Sequence, residues 1–149
     1  MIILIEDNLS HALSIEVLLQ RRATAVVHVR SPLEGYPIVR AHCARQPLQL
    51  QAVLIDLNLP IKHLVAGPDG LDVATLLLDD RATGTIPPLP IVLISGDITP
   101  ETAAYAQSIG VDAVVTKPLE AAFIDRLLGA TLASGPPHSA RPPARTVEQ

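Results

Sequence analysis

Five short runs of continuous apolar residues punctuate the chain, at 2–5, 24–29, 51–56, 90–95 and 112–116. They do not alternate polar with apolar, so each predicts a strand covered on both faces, as in a parallel sheet. Between them the apolar positions shift to helical spacing. Ala12, Ile15, Leu18 and Leu19 form one stripe, with Glu16 and Gln20 facing out, in a helix predicted from around residues 8–10 to 22. Leu71, Ala74, Leu77 and Leu78 repeat the pattern over 70–80. A helical stretch at 33–45 is weaker, because Gly35 and Pro37 count against its start. Thr99-Pro100-Glu101 reads as a cap and first turn, and Gly110 as a left-handed stop. Pro118 is expected to open the last helix, which carries Leu119, Ala122, Phe123, Ile124 and Leu127 to about 132. Alternating strands and helices predict right-handed crossovers and a three-layer α/β sandwich over residues 1–133.

Composition narrows the class. The 149 residues suffice for one domain with its own core, and at 48% hydrophobic but only 2% aromatic that core must be aliphatic. A formal charge of -4 argues against a nucleic-acid surface. The single Cys43 has no partner for an internal disulfide, and its helical setting predicts an inert thiol. Met1 leads straight into Ile2-Ile3-Leu4-Ile5, too short a run for a signal peptide or membrane span, so the expected setting is soluble and cytoplasmic. Residues 134–149 are Pro-rich and read as a disordered tail or linker.

The strand ends carry the chemistry. The run 52–55 closes on Asp56, and an unpaired buried carboxylate would cost more than a domain of this size can spare. A cation, a proton or a partner must compensate it. Glu6-Asp7 closes the first run, Ser95-Gly96 the fourth, and Lys117 follows the fifth. Strand ends of an open parallel sheet face one crevice, so these groups are expected to meet there. Glu6, Asp7 and Asp56 offer the few carboxylate oxygens that magnesium prefers. Asp56 could attack phosphorus to form an acyl phosphate, with Lys117, the Ser95 hydroxyl and backbone near Gly96 receiving the phosphoryl oxygens. Taken singly, each group has an ordinary reading as a cap, a turn or a solvated lysine. Their joint order at successive strand ends favours a phosphoryl site.

With Ile-Glu-Asp-Asn at 5–8, Leu-Ile-Asp-Leu-Asn-Leu-Pro at 54–60, Asp-Gly-Leu at 69–71, Ile-Ser-Gly-Asp at 94–97 and Thr-Lys-Pro at 116–118, the chain resembles the CheY-like receiver domains of response regulators. The resemblance implies a flavodoxin-like (βα)5 fold with strand order 2-1-3-4-5. It implies that Asp56 accepts a phosphoryl group from a histidine kinase or phosphotransfer protein. Glu6, Asp7, Asp56 and the backbone carbonyl of Asn58 would hold magnesium. Ser95 would turn toward the phosphoryl group, Lys117 would pair with it, and the Lys117-Pro118 bond would be cis. The face of the fourth and fifth helices, lightly charged here, would serve homodimer or target contacts. No effector domain is expected within this sequence, and no nucleic-acid or membrane partner is expected.

Two departures from the family pattern stand out. Val114 occupies the position, three residues before the lysine, where relatives usually carry Tyr or Phe. Eight residues, 61–68, separate Pro60 from Asp69 where relatives commonly have about two; this is a surface insertion or a lid. The five histidines show no ligand spacing, and of them His63 in this insertion is expected nearest the site. Other classes compete. A pseudo-receiver would be an interaction module that never takes phosphate. An Asp-nucleophile phosphohydrolase usually has a second Asp two positions on, where this chain has Asn58, so turnover of external substrates is not expected. A flavin carrier would need a Ser/Thr/Gly-rich phosphate loop in place of Glu6-Asp7-Asn8.

Overall fold

The computed structural model of the protein describes residues 1–57 and 69–133, with side chains through residue 129. Five strands alternate with five helices: β1 (Ile2–Ile5), α1 (Leu9–Gln20), β2 (Val26–Val29), α2 (Pro32–Arg45), β3 (Ala52–Asp56), α3 (Gly70–Ala82), β4 (Ile91–Ser95), α4 (Pro100–Ile109), β5 (Ala113–Thr116) and α5 (Ala121–Ala133). The strands form one sheet in the order β2-β1-β3-β4-β5, every pair parallel. This is the flavodoxin-like order expected. The tail 134–149 and the insertion 61–68 lie outside the described residues.

The three inner strands are buried along their whole length, which explains their unbroken apolar character. Their side chains divide between two aliphatic clusters. Ile3, Ile5, Val53, Ile55, Ile91 and Leu93 meet α2 and α3 on one face. On the other, Ile2, Leu4, Leu54, Val92 and Ile94 meet α1 and α5. Each fully buried Ile or Leu contributes about 1.5–3 kcal/mol, so this double-sided core holds the strand ends in register.

Helix boundaries follow local chemistry. Asn8 caps α1 by accepting from the His11 amide at 3.2 Å, and Thr99 caps α4 by accepting from Thr102. Asp69 and Asp72 satisfy each other's amides in a reciprocal box at the start of α3. Gly110 ends α4 with φ 98°, a conformation that penalises a side chain. A Cβ on Gly70 would overlap the carbonyl oxygen of Asp56, so only glycine lets α3 begin so close to the end of β3.

One expectation is corrected, that for Pro118, while the helix expected at 33–45 forms: Pro32 starts α2, Gly35 lets it approach Ile5, and Pro37 lies within it. The carbonyl that Pro37 leaves without a donor belongs to Leu33, whose exposed setting at the helix start admits water. Pro118 does not open α5. The helix starts at Ala121, because its first amides, from Phe123 and Ile124, bond to the Glu120 carbonyl. Ala122 is exposed, while Leu119, Ile124 and Leu127 are buried as expected.

Charged ties join the layers at their edges. Arg22, just past the end of α1, reaches Asp125 and the Ala121 carbonyl on α5. At the opposite edge, Arg81 on α3 donates to the carbonyls of Leu89 and Gly110 and pairs with Asp112 at 2.6 Å. Asp112 also accepts from the Ile91 amide, so a single carboxylate closes the entry to β4. Cys43 is buried on α2, where desolvation pushes its thiol pKa up, in keeping with an inert group. Among the described residues, no helix is long and apolar enough to cross a membrane.

Candidate phosphoryl and metal site

Each candidate side chain is placed by the carboxyl end of a different strand. Glu6 and Asp7 follow β1, Asp56 is the last residue of β3, Ser95 the last of β4, and Lys117 follows β5. The strand register carries the spacing: Asp56 lies opposite Ile94, Ser95 opposite Thr116, and the Lys117 amide donates to the Ser95 carbonyl at 2.7 Å. Glu6 and Ser95 are fully buried and Asp56 is 3% exposed. Asp7 is half-buried at the rim.

Lys117 is the cation that the buried carboxylates require. Its Nζ lies 2.6 Å from Glu6 Oε2 and 3.1 Å from Asp56 Oδ1. Glu6 Oε1 takes a further hydrogen bond from the Asn8 amide at 3.0 Å. Burial nevertheless raises the Glu6 pKa above its ordinary value, outweighing the hydrogen bonds from Lys117 and Asn8 that pull it down; the charge of Asp56 adds to the rise. Two acids and one base leave the pocket net negative before Asp7 is counted.

That imbalance, and the donor set, fit a divalent cation. One carboxylate oxygen from each of Glu6, Asp7 and Asp56 lies within 4.8 Å of the other two. The donors are all oxygen, as magnesium prefers, and too few to enclose it, which leaves positions for water and a phosphoryl oxygen. Asn58, the further ligand implied by the resemblance, lies outside the described residues.

Ser95 is present but turned into its own loop. Its hydroxyl donates to the Asp97 carbonyl at 2.8 Å and accepts from the Asp97 amide at 3.3 Å. Among the described residues, a Cβ on Gly96 would meet no atom within 4 Å beyond its chain neighbours, so the backbone there is open on that side. Val114 packs at the margin of the α2/α3 core cluster, where an aliphatic side chain has no ring to swing. The Lys117-Pro118 peptide is cis.

Among the described residues, His11 lies beside the site, on the first turn of α1, with Nδ1 3.2 Å from Lys117 Nζ. His63, expected nearest, lies outside the described residues. Sequence offered one signal for His11: it stands four residues after Asp7, one helical turn beyond the end of β1. His28 is a second unanticipated neighbour, with Nε2 2.7 Å from the Glu6 carbonyl oxygen and Nδ1 3.7 Å from Glu16. A cavity of about 440 Å³ opens beside the cluster, bordered by His11, Ser14, Leu18, Gly96, Lys117 and Leu119.

Several large apolar side chains are exposed among the described residues. Leu9, Leu13 and Val17 form a stripe at four-residue intervals on α1, whereas on α4 Tyr105 alone is exposed among the described residues.

No family model and no curated protein matches the chain. Solved structures match it in fold. A CheY-like receiver domain from Methanospirillum hungatei JF-1 superposes with a TM-score of 0.70 at 17% identity, over 90% of this chain and 97% of its own. A response regulator from Burkholderia pseudomallei, solved with a phosphorylated aspartic acid, a calcium ion and citrate, gives 0.66 at 24% identity, over 85% of this chain and 65% of its own. The receiver domain of a Saccharomyces cerevisiae response regulator, co-crystallised with a histidine phosphotransfer protein, gives 0.67 at 16% identity, over 85% and 84%. The fold that gathers Glu6, Asp7, Asp56, Ser95 and Lys117 at one edge of the sheet is therefore that of the response-regulator receiver domains.

Proposed function

We propose that the chain is a phosphoryl-accepting receiver of two-component signalling, with Asp56 as the acceptor. The observation that carries this reading is the buried Asp56 carboxylate, 3.1 Å from Lys117 and within a three-carboxylate cluster. A carboxylate oxygen of Asp56 attacks phosphorus of a phosphohistidine on a kinase or phosphotransfer protein. The P–N bond breaks as the P–O bond forms, and the departing imidazole takes its proton from water. Lys117 places its ammonium against the incoming oxygens, and the Ser95 hydroxyl leaves Asp97 to donate to them. Magnesium, when held by Glu6, Asp7, Asp56 and the Asn58 carbonyl, supplies the positive charge that lets a phosphoryl anion approach these acids. The activity is self-phosphorylation and its reversal, without turnover of external substrates, in a cytoplasmic setting. Phosphorylation adds charge and acceptor oxygens, which biases the loops after β4 and β5 between two arrangements.

Incubation with acetyl phosphate and magnesium is expected to produce an alkali-labile acyl phosphate, detected by intact mass and mapped to Asp56. Failure to form it would favour the alternative, a receiver-shaped interaction module.

The stripe of Leu9, Leu13 and Val17 begins at the end of α1 nearest the site. An exposed apolar stripe beside a reactive group suits docking of the donor protein. Leu13→Asp is expected to slow phosphotransfer from the cognate donor at least tenfold while leaving acetyl phosphate labelling unchanged. Equal slowing with both donors would place the defect in the site rather than at the docking surface.

A further inference from the structure

Lys117 is a donor-only group with three ammonium protons. The structure sets three partners around it: Glu6 Oε2 as hydrogen-bond acceptor at 2.6 Å, Asp56 Oδ1 as an ion pair at 3.1 Å, and His11 Nδ1 as hydrogen-bond partner at 3.2 Å. The first two are the pairings that the phosphoryl-site reading anticipates. The third is not part of that pattern.

His11 Nδ1 is also 3.8 Å from Glu6 Oε1, which is too long for a hydrogen bond. A proton on Nδ1 would point at an ammonium, so Nδ1 carries the lone pair and Nε2 the proton. His11 is held to its task from its backbone as well, since its amide donates to the Asn8 side chain that caps α1. The ring is half exposed, so it is not there to fill the core.

We propose that His11 is a positioning residue for Lys117. Glu6 and His11 together fix the rotation of the ammonium, so that its remaining proton stays aimed at Asp56 and at any phosphoryl group Asp56 carries. This rests on the receiver reading above. A terminal ammonium on four rotatable bonds otherwise pays an ordering entropy each time it engages a new oxygen. Two fixed acceptors remove part of that cost in advance.

The test compares wild type with His11→Asn, His11→Gln and His11→Leu. Asn places an amide oxygen near the position of Nδ1, whereas Gln places one near Nε2. Beryllofluoride affinity at saturating magnesium, followed by amide NMR shifts, is expected to fall roughly three- to tenfold in the Leu and Gln variants. The Asn variant should stay close to wild type, and magnesium affinity measured without beryllofluoride should be the same in all four. Equal beryllofluoride affinity in all four, or an Asn variant as weak as Leu, would overturn the proposal, and so would a Gln variant as good as Asn.

A second readout needs no phosphoryl analogue. The ammonium protons of Lys117, observed by NMR of isotope-labelled protein without magnesium, should exchange more slowly in wild type and His11→Asn than in His11→Leu. Identical exchange would refute the positioning role. Loss of the exchange difference, and loss of beryllofluoride binding by the wild type, are thus separate results that strike the two readings separately.

Discussion

Replacing Asp56 with asparagine is expected to abolish acyl phosphate formation with both acetyl phosphate and a phosphohistidine donor, at unchanged thermal stability or better. The chemical half follows from the nucleophile: an amide cannot form the acyl phosphate, and no other carboxylate occupies the centre of the cluster. Asp7 sits at the rim, and Glu6 is engaged on both oxygens by Lys117 and Asn8. The stability half follows from charge. Glu6 and Asp56 face one lysine, so removing a charge relieves repulsion, which already appears as one cause of the raised Glu6 pKa. Asparagine retains the shape and an oxygen for Lys117. Mass spectrometry of the labelled variant, with a melting curve beside it, checks both halves. Phosphate found on another residue would remove Asp56 from its assigned role.

The second large effect is on stability. Lys117→Ala leaves Glu6 fully buried and without its nearest cation. Breaking one side of a buried pair typically costs about 3–5 kcal/mol, and Lys117 stands at the rim, so a loss near the lower end, about 3 kcal/mol, is expected in magnesium-free buffer. The loss should depend on pH. Burial already raises the Glu6 pKa, and the variant lacks the hydrogen bond that restrains it, so the folded pKa climbs further. A carboxyl group whose pKa is higher folded than unfolded favours the fold below its unfolded value and loses that contribution as pH rises through the folded value. The deficit should thus be small in mild acid and grow toward neutrality. Denaturant midpoints across that range measure it directly. Added magnesium should recover part of the loss, because a cation at the cluster replaces the missing charge. In function, the variant should still become phosphorylated but should lose the spectroscopic response of the β4 and β5 loops to beryllofluoride.

Much of this was readable without coordinates, for a physical reason. A buried parallel strand must be apolar throughout, so a carboxylate at its end stands out against the run, as Asp56 does after Ala52-Val53-Leu54-Ile55. Parallel order then puts all such ends on one edge, where Glu6, Asp56 and Lys117 come together, while Ser95 ends β4 at the same edge with its hydroxyl turned to Asp97. What the pattern misjudged depends on contacts between elements. Pro118 resembles a helix opener in isolation, but the first helical hydrogen bonds run to Glu120. His11 was overlooked because a histidine on an exposed helix turn carries no mark of its own; only the path of β5 brings Lys117 to it. The apolar stripe of α1 was also hidden. Leu9, Leu13 and Val17 widen the hydrophobic arc beyond what the sheet covers, and spacing alone does not say which part stays bare.

The guanidinium of Arg81 grips Gly110, just past the last turn of α4, together with Asp112 and Leu89. The helix is consequently pinned at its distal end, away from where it follows the Ser95 loop. Any signal entering there would move α4 like a lever on a fulcrum, with its greatest travel near Thr99 and Pro100 and almost none at Gly110.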